Sequence, residues 1–587
     1  MEQHLRFVRI NHPSKPIFMS LFKKRYLIFP IFLLLFFACD TPTKVQNETD
    51  DVITSEEMKK VKPKLMVVIS VDQMRYDYLE RFEPYFQHGL KRLLTEGAVM
   101  SNAFYEHSMT GTAPGHATLS TGCHPSKHGV IENNFFNPET ADIQYSVRDK
   151  NVKIIGVKNN EKIEGVSPKN LLKSGLGDWL KSKNKKSKVF SVALKDRSSI
   201  LMGGQHPDRA FWFENSSAKF VSSDYYGNDY PEWANAYNGR IMMKEELNKG
   251  WHKKMDESVY SVSRSDFFEQ EEGQQGSEFP HTIETIRPPY RTYPDKFKRS
   301  LLLWSSPYGD AFALKFAEAI IENEKLGTDE DTDLLFVGCS SADVIGHHFG
   351  PYSQEVQDYY LYLDGYLGQF LSYLDQNIGK ENYYLALSAD HGVVPMPEHS
   401  AANGLDAKRI RNTEFQDAID QAEKATKEVL KLQNDFILTS GFQGISLTYG
   451  ETNQRQISGS KLRSTLAKEL KKIDFVEDVF TSDQLEKGGK NPYLKFYQKS
   501  FRQDRGNEIK MHFKKYYLID YAANGTTHGT PYDYDAHIPI IFTGPTIQPG
   551  TLTQKIGIVD LAPTLGHILG LKKQKRIDGK VIELPKR

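Results

Sequence analysis

Apolar residues follow two alternating rhythms along this chain. Short, mostly unbroken apolar runs occur at Lys64–Val71 (KLMVVISV), Val189–Leu194, Asp333–Gly338, Tyr383–Leu387 and Ile538–Phe542. Runs of this length without polar alternation predict strands buried on both faces. Between them the period lengthens. Val356, Tyr359, Leu363, Leu367, Phe370 and Leu374 recur at helical spacing and predict a helix over Glu355–Ile378. Further helices are predicted at Glu83–Glu96, with Pro84 in its first turn and Gly97 past its end, at Ala313–Lys325, and at Asp560–Leu569 before Gly570. Strands alternating with helices predict an α/β fold with a mostly parallel central sheet covered on both faces. Two stretches, 205–299 and 401–512, break the rhythm and read as insertions capping the sheet rather than as separate domains.

The amino terminus has a different pattern. Tyr26–Phe37 (YLIFPIFLLLFF) is a twelve-residue apolar run after Lys23, Lys24 and Arg25. A spanning helix needs ~20 residues, so the run reads as the core of a secretory signal over residues 1–39, with Met1 or Met19 as the start. Ala38-Cys39 resembles a bacterial lipobox, although Phe36 and Phe37 depart from the usual pattern. Ordinary secretion and an uncleaved anchor are the alternatives. Residues 40–62 are polar and read as a tether. The expected location is outside the cytoplasm, in the periplasm or anchored to the outer membrane of a Gram-negative bacterium. The only membrane contact expected is a lipid on Cys39.

Composition narrows the function classes. The 587 residues carry 75 Lys+Arg against 75 Asp+Glu, so no basic excess suits nucleic acid. Three Cys cannot build a disulfide scaffold. With Cys39 lipidated, Cys123 and Cys339 remain, either as a disulfide or as two buried small hydrophobes.

The candidate chemistry lies at strand ends. Asp72, Asp343 and Asp390 follow predicted strands, where open parallel sheets bind ligands. Asp343 and His347 are one helical turn apart, His391 adjoins Asp390, and His528 sits in a Gly-rich loop, NGTTHGTPYD. Three carboxylates and three imidazoles favour zinc over Mg²⁺ or Ca²⁺, and six ligands suggest two ions. Thr112, in SMTGTAPGHATLSTG, precedes a helix start expected at His116 and is the candidate nucleophile, with Thr110 and Ser108 as rivals. Lys195 and Arg197, two apart at the end of a strand, are expected to face one side with Asp196 opposite and to suit phosphoryl oxygens. Asn133-Asn134 reads as a turn when taken alone.

Together VISVDQMR, TAPGHATLSTG, HGVIENNFF, LKDR, SSADVIGHHFGP, SADHG, GTTHGTPYDYDAHIP and DLAPTLGHILG resemble the alkaline phosphatase superfamily over about Lys64 to Gly570. The resemblance is to the PafA-like (phosphate-irrepressible) alkaline phosphatases, themselves similar to nucleotide pyrophosphatase/phosphodiesterases. It implies an α/β/α sandwich with a cap. It also implies one Zn²⁺ on Asp343, His347 and His528, and a second on Asp72, Asp390 and His391. Thr112 would form a phosphothreonine, and Asn133, Lys195 and Arg197 would bind phosphoryl oxygens. The expected substrates are small phosphate monoesters. His116, His124, His128, His348 and His537 would play supporting roles. The alternatives are a diester hydrolase on the same scaffold, or a non-catalytic lipoprotein that binds metal or phosphate.

Overall fold

The computed structural model describes residues 62–158, 162–239, 244–271, 276–288, 290–520 and 523–585. The leader, Cys39 and all but the last residue of the tether lie outside the described residues. Among those described, no helix is long and apolar enough to cross a membrane.

Five parallel strands form the middle of the main sheet, in the spatial order Tyr383–Ser388, Leu65–Val71, Asp333–Cys339, Val189–Ala193 and Arg209–Glu214. His537–Thr543 pairs antiparallel to Tyr383–Ser388 and to Ala98–Phe104 beyond it. Every residue of Leu65–Val71, Asp333–Cys339 and Tyr383–Ser388 is buried, as strands covered on both faces must be. Two sets of helices provide the cover. One contains Gly89–Glu96, Tyr308–Glu324 and Gln354–Asn377; the other contains Thr112–Thr121, Leu176–Lys183, Asp196–Gly203 and Leu561–Ile568. The expected strand and helix alternation is present.

Three expectations are corrected. The predicted helix Glu83–Glu96 is broken into a 3₁₀ turn at Glu83–Tyr85 and a helix at Gly89–Glu96. Asp364, on the helix Gln354–Asn377, accepts from the backbone N–H groups of Gln87, His88, Leu90 and Lys91 and starts the second piece afresh. Segment 205–299 does not all cap the sheet. Arg209–Glu214 and Lys219–Ser223 extend it, and Trp251 and Tyr260 donate to Asp358 on the helix Gln354–Asn377. Segment 401–512 is more than a cover. It carries its own four-stranded sheet, Ile437–Gly441, Gly444–Leu447, Ile509–Phe513 and Val476–Thr481 in spatial order, with a separate apolar core around Phe415, Leu462, Leu466 and Met511. Its boundary runs past residue 512, because Tyr517–Asp520 pairs with Lys408–Arg411. Cys123 and Cys339 are both free and buried, so they act as small hydrophobes.

Candidate active site

The parallel register aligns the carboxyl ends of three strands. Ser70 lies beside Ser388 and Val71 beside Cys339, so the chain leaves the sheet at one edge in all three places. Asp72 follows directly, Asp390 comes two residues after its strand, and Asp343 lies in the first turn of the helix Ser341–Phe349. That helix puts His347 one turn on, with its Nε2 3.2 Å from Asp343 Oδ1. His528 reaches the same oxygen at 3.6 Å from the Gly-rich loop.

Ligand atoms within 4.8 Å of one another form two groups among the described residues: Asp72, Asp390 and His391, and Asp343, His391 and His528. His391 stands between them, with its ring stacked on His528 at 3.6 Å. His347 touches Asp343 but belongs to neither group, and at 31% side-chain exposure it is the most open of the six. In the first group Asp72 Oδ1, Asp390 Oδ2 and His391 Nε2 are buried and make no hydrogen bond. His391 Nε2 is 3.4 Å from each of the two oxygens. Three buried, unsatisfied polar atoms aimed at one point are costly unless something binds there. All three imidazoles turn Nδ1 to a backbone carbonyl: His347 to Thr526, His391 to Gly392 and His528 to Thr110, at 2.7–2.8 Å. A protonated Nδ1 leaves Nε2 with its lone pair facing the site, the form a metal requires.

The electrostatics agree for His391 and His528, whereas at His347 burial opposes charge but Asp343 beside it outweighs burial and holds the ring above its ordinary value. Burial, then Asp72 beside it, pushes the Asp390 carboxyl well above the usual range. This is the crowding that a cation relieves. Burial pulls His391 down to about 4, and burial with His391 and His347 nearby holds His528 well below its ordinary value. Both are therefore neutral at physiological pH. Burial opposes charge on Asp343, but His347 and Lys195 outweigh it and hold the carboxyl far down. Lys195 Nζ lies 2.6 Å from both Asp72 Oδ2 and Asp343 Oδ2, joining the two groups through one cation.

The helix holding the candidate nucleophile begins earlier than expected, at Thr112 rather than His116, with Gly111 as its N-cap. It is buried throughout, and Gly115 sets its distance from the candidate ligand Asp390, while Gly111 lies in ordinary contact with His528. A Cβ on Gly115 would lie 2.2 Å from the Asp390 carbonyl oxygen and 2.7 Å from Asp390 Cβ; one on Gly111 would lie 3.8 Å from His528 Cε1. Thr112 is thus held between a residue against Asp390 and a residue against His528. His116 Nδ1 binds the Thr112 carbonyl at 2.8 Å and lies 3.3 Å from Asp390 Oδ2. Asn133 Oδ1 accepts from the Ala113 N–H at 2.8 Å, which fixes its amide at the same helix end. The rival Thr110 spends its hydroxyl on the Thr530 carbonyl. Gly115→Ala should raise helix propensity yet lower kcat/KM by about 10²-fold, because Thr112 and Asp390 must separate. Steady-state kinetics check this, and an unchanged rate would contradict the packing argument.

Lys195 and Arg197 are not strand neighbours. The strand ends at Ala193, Lys195 is the N-cap of the helix Asp196–Gly203, and Arg197 lies in its first turn. Two-residue alternation therefore does not apply. Asp196 is turned aside to accept from Tyr145 at 2.5 Å and from the Arg197 N–H. The helix end adds its own partial positive charge to the two side chains.

A family model described as Type I phosphodiesterase / nucleotide pyrophosphatase matches residues 66–434. The chain belongs to this family. It is a member of the alkaline phosphatase superfamily, as its motifs imply. Alkaline phosphatase PafA of Elizabethkingia meningoseptica is 33% identical over 535 residues, which cover 89% of this chain and 94% of that protein. Alkaline phosphatase PhoV of Synechococcus elongatus is also 33% identical, over 89% of this chain and 92% of its own length. A crystal structure of wild-type PafA superposes with a TM-score of 0.82 at 31% identity, covering 89% of this chain and 98% of that one. A solved PafA variant replaces one Thr, one Asn, one Lys and one Arg. Their order and chain spacings are those of Thr112, Asn133, Lys195 and Arg197.

Several supporting residues in this family member carry no sequence signal. Asp535 accepts from the backbone of Gly529 and Thr530 and from the Thr530 hydroxyl, pinning the loop that presents His528. Asp310 accepts from the Ser341 N–H and from Tyr359, capping the helix that presents Asp343 and His347. Gln73 hydrogen-bonds to both Asp343 and Asp390. Of the other histidines, His128 binds the Thr118 hydroxyl and His537 the Ser101 carbonyl.

Proposed function

We propose that the protein is a two-zinc alkaline phosphatase that hydrolyses small phosphate monoesters through a phosphothreonine at Thr112. The trio Asp72 Oδ1, Asp390 Oδ2 and His391 Nε2 carries the reading, with the nitrogen 3.4 Å from each oxygen. Ligands at ~2.0–2.1 Å in tetrahedral geometry stand ~3.4 Å apart, which suits zinc. Octahedral Mg²⁺ at the same radius would want ~2.9 Å, and an imidazole is a poor ligand for Ca²⁺. The two alkaline phosphatase relatives and the matched substitution pattern of the PafA variant support the same reading.

Asp72, Asp390 and His391 would hold one ion and Asp343, His347 and His528 the other. Bound zinc supplies positive charge that lowers the pKa of a hydroxyl or water and stabilises a departing oxygen. Thr112 gives up its hydroxyl proton to solvent as its Oγ attacks phosphorus in line, the bond to the leaving oxygen breaks, and the departing alkoxide takes a proton from solvent. Water then attacks from the vacated side, restores the Thr112 hydroxyl and releases phosphate. Asn133, Lys195 and Arg197 bind the non-bridging oxygens throughout. Two cationic side chains match the charge of a monoester dianion better than that of a diester monoanion.

The family description favours a second reading, diester hydrolysis at the same site. Rates on p-nitrophenyl phosphate and its bis-(p-nitrophenyl) diester separate the two, and faster diester turnover would overturn the monoesterase reading. Lys195→Ala with Arg197→Ala should lower monoester kcat/KM by about 10²-fold or more and diester kcat/KM by less. Equal losses on both substrates would remove the clamp argument. The enzyme is further proposed to be exported and tethered through a lipid on Cys39. Mass spectrometry of the membrane fraction from cells making the full chain, and a Cys39→Ser variant, test this; an unmodified Cys39 in a retained leader would refute it.

A further inference from the structure

Residue 73 is locally anomalous. Gln73 has φ +67°, a left-handed conformation that is strained for a non-glycine residue. Gly346 is anomalous in a different way. It sits inside the helix Ser341–Phe349, where glycine is less favourable than alanine. Both choices meet at one contact, since a Cβ on Gly346 would lie 1.7 Å from Gln73 Oε1. Paired local costs that meet next to a reactive centre point to function.

We propose that Gln73 is a positioning residue that fixes the spacing between the two metal clusters, and that Gly346 exists to admit it. The inference rests on the two-ion reading above. Gln73 directly follows Asp72 and is 2% exposed. Its left-handed backbone turns its N–H onto Asp390 Oδ1 at 3.0 Å, and its side-chain Nε2 donates to Asp343 Oδ1 at 2.7 Å. One residue, covalently joined to one ligand, therefore holds a ligand of each cluster. It also selects which Asp390 oxygen is free and which way Asp343 faces. With Asp390 Oδ1 taken by Gln73, Asp390 Oδ2 is the oxygen left without a hydrogen bond beside His391. With Asp343 Oδ2 taken by Lys195, Gln73 orients the Asp343 oxygen that faces His347 and His528. Glutamate here would set a like charge on Asp343. Asparagine is one methylene shorter, and alanine lacks the donor.

The two hydrogen bonds can be separated. Gln73→Gly keeps the backbone N–H to Asp390, tolerates φ +67°, and deletes only the donor to Asp343. Zinc per chain is measured by elemental mass spectrometry over a series of buffered free-zinc concentrations, on the purified full-length protein, alongside kcat, KM and thermal denaturation. Wild type should hold two ions. Gln73→Gly should hold one with unchanged affinity and the second about 10–100-fold more weakly, with kcat restored by excess zinc. Gly346→Ala should give the same selective weakening without a fall in Tm, because its own helix gains propensity. Gln73→Met, which keeps the volume, should match Gln73→Gly in zinc binding. Two ions at wild-type affinity in all three variants would overturn the inference. So would loss of both ions together with a lowered Tm, which marks a purely structural residue. Fewer than two ions in wild type would instead defeat the two-ion reading itself.

Discussion

Thr112→Ala is expected to lower kcat/KM on p-nitrophenyl phosphate by about 10⁴-fold, with zinc content unchanged. The expectation follows from the position of Thr112 at the first residue of a buried helix, between Gly111 beside His528 and Gly115 against Asp390. The rival Thr110 is bonded through its hydroxyl to the Thr530 carbonyl, which leaves Ser108 as the hydroxyl to exclude by the same substitution. Thr112→Ser should retain most of the activity, since the attacking atom remains. Acid quenching during turnover should leave one phosphoryl group on the peptide containing Thr112, found by mass spectrometry. Labelling at another residue, or wild-type turnover by the alanine variant, would place the nucleophile elsewhere. Turnover lost on this single change would in turn exclude a protein that merely binds phosphate.

Removing the metal should have the next largest effect, on activity and stability together. Three carboxylates, Asp72, Asp343 and Asp390, converge with Lys195 as the cation placed between two of them. An ion that binds the folded state at about a thousand times its Kd stabilises it by about 4 kcal/mol. Exhaustive chelation should abolish turnover and lower Tm by several degrees. Zinc should restore both, and Mg²⁺ or Ca²⁺ should not. The measurement is a pair of denaturation scans and activity assays on one sample, with metal content determined before and after. Full activity in a sample shown to be metal-free would remove the two-zinc mechanism.

The sequence and the structure agree where chemistry depends on local period. A four-residue spacing puts Asp343 and His347 on one helical face, and the helix Ser341–Phe349 forms as the pattern requires. Apolar runs mark the buried strands, and the residue after a parallel strand falls at the ligand edge. That makes Asp72 and Asp390 legible without coordinates. The departures have two causes, a partner far along the chain and element boundaries that carry no local signal. Asp364 breaks the predicted helix Glu83–Glu96 by capping its second half from a helix more than 250 residues away. Lys195 and Arg197 read as strand neighbours because nothing local signals that the strand ends at Ala193 and a helix starts. The aromatic segment after Gln205 hides two strands of the main sheet, Arg209–Glu214 and Lys219–Ser223, which pair with each other as a hairpin, the first also joining Val189–Ala193.

Sequence alone therefore determined the parallel α/β architecture and the six metal-ligand candidates, because burial, helical spacing and strand termini are properties of short stretches, and it left Thr112 as a candidate nucleophile beside Thr110 and Ser108. The tertiary structure decided the rest. It decided that His391 stands between the two clusters, that Lys195 joins them, that Gln73 holds one carboxylate in each, and that the second insertion has a core of its own. The hydrogen bonds of Lys195 and Gln73 at the site join residues 123 to 317 positions apart, and no local period encodes a distance across the fold.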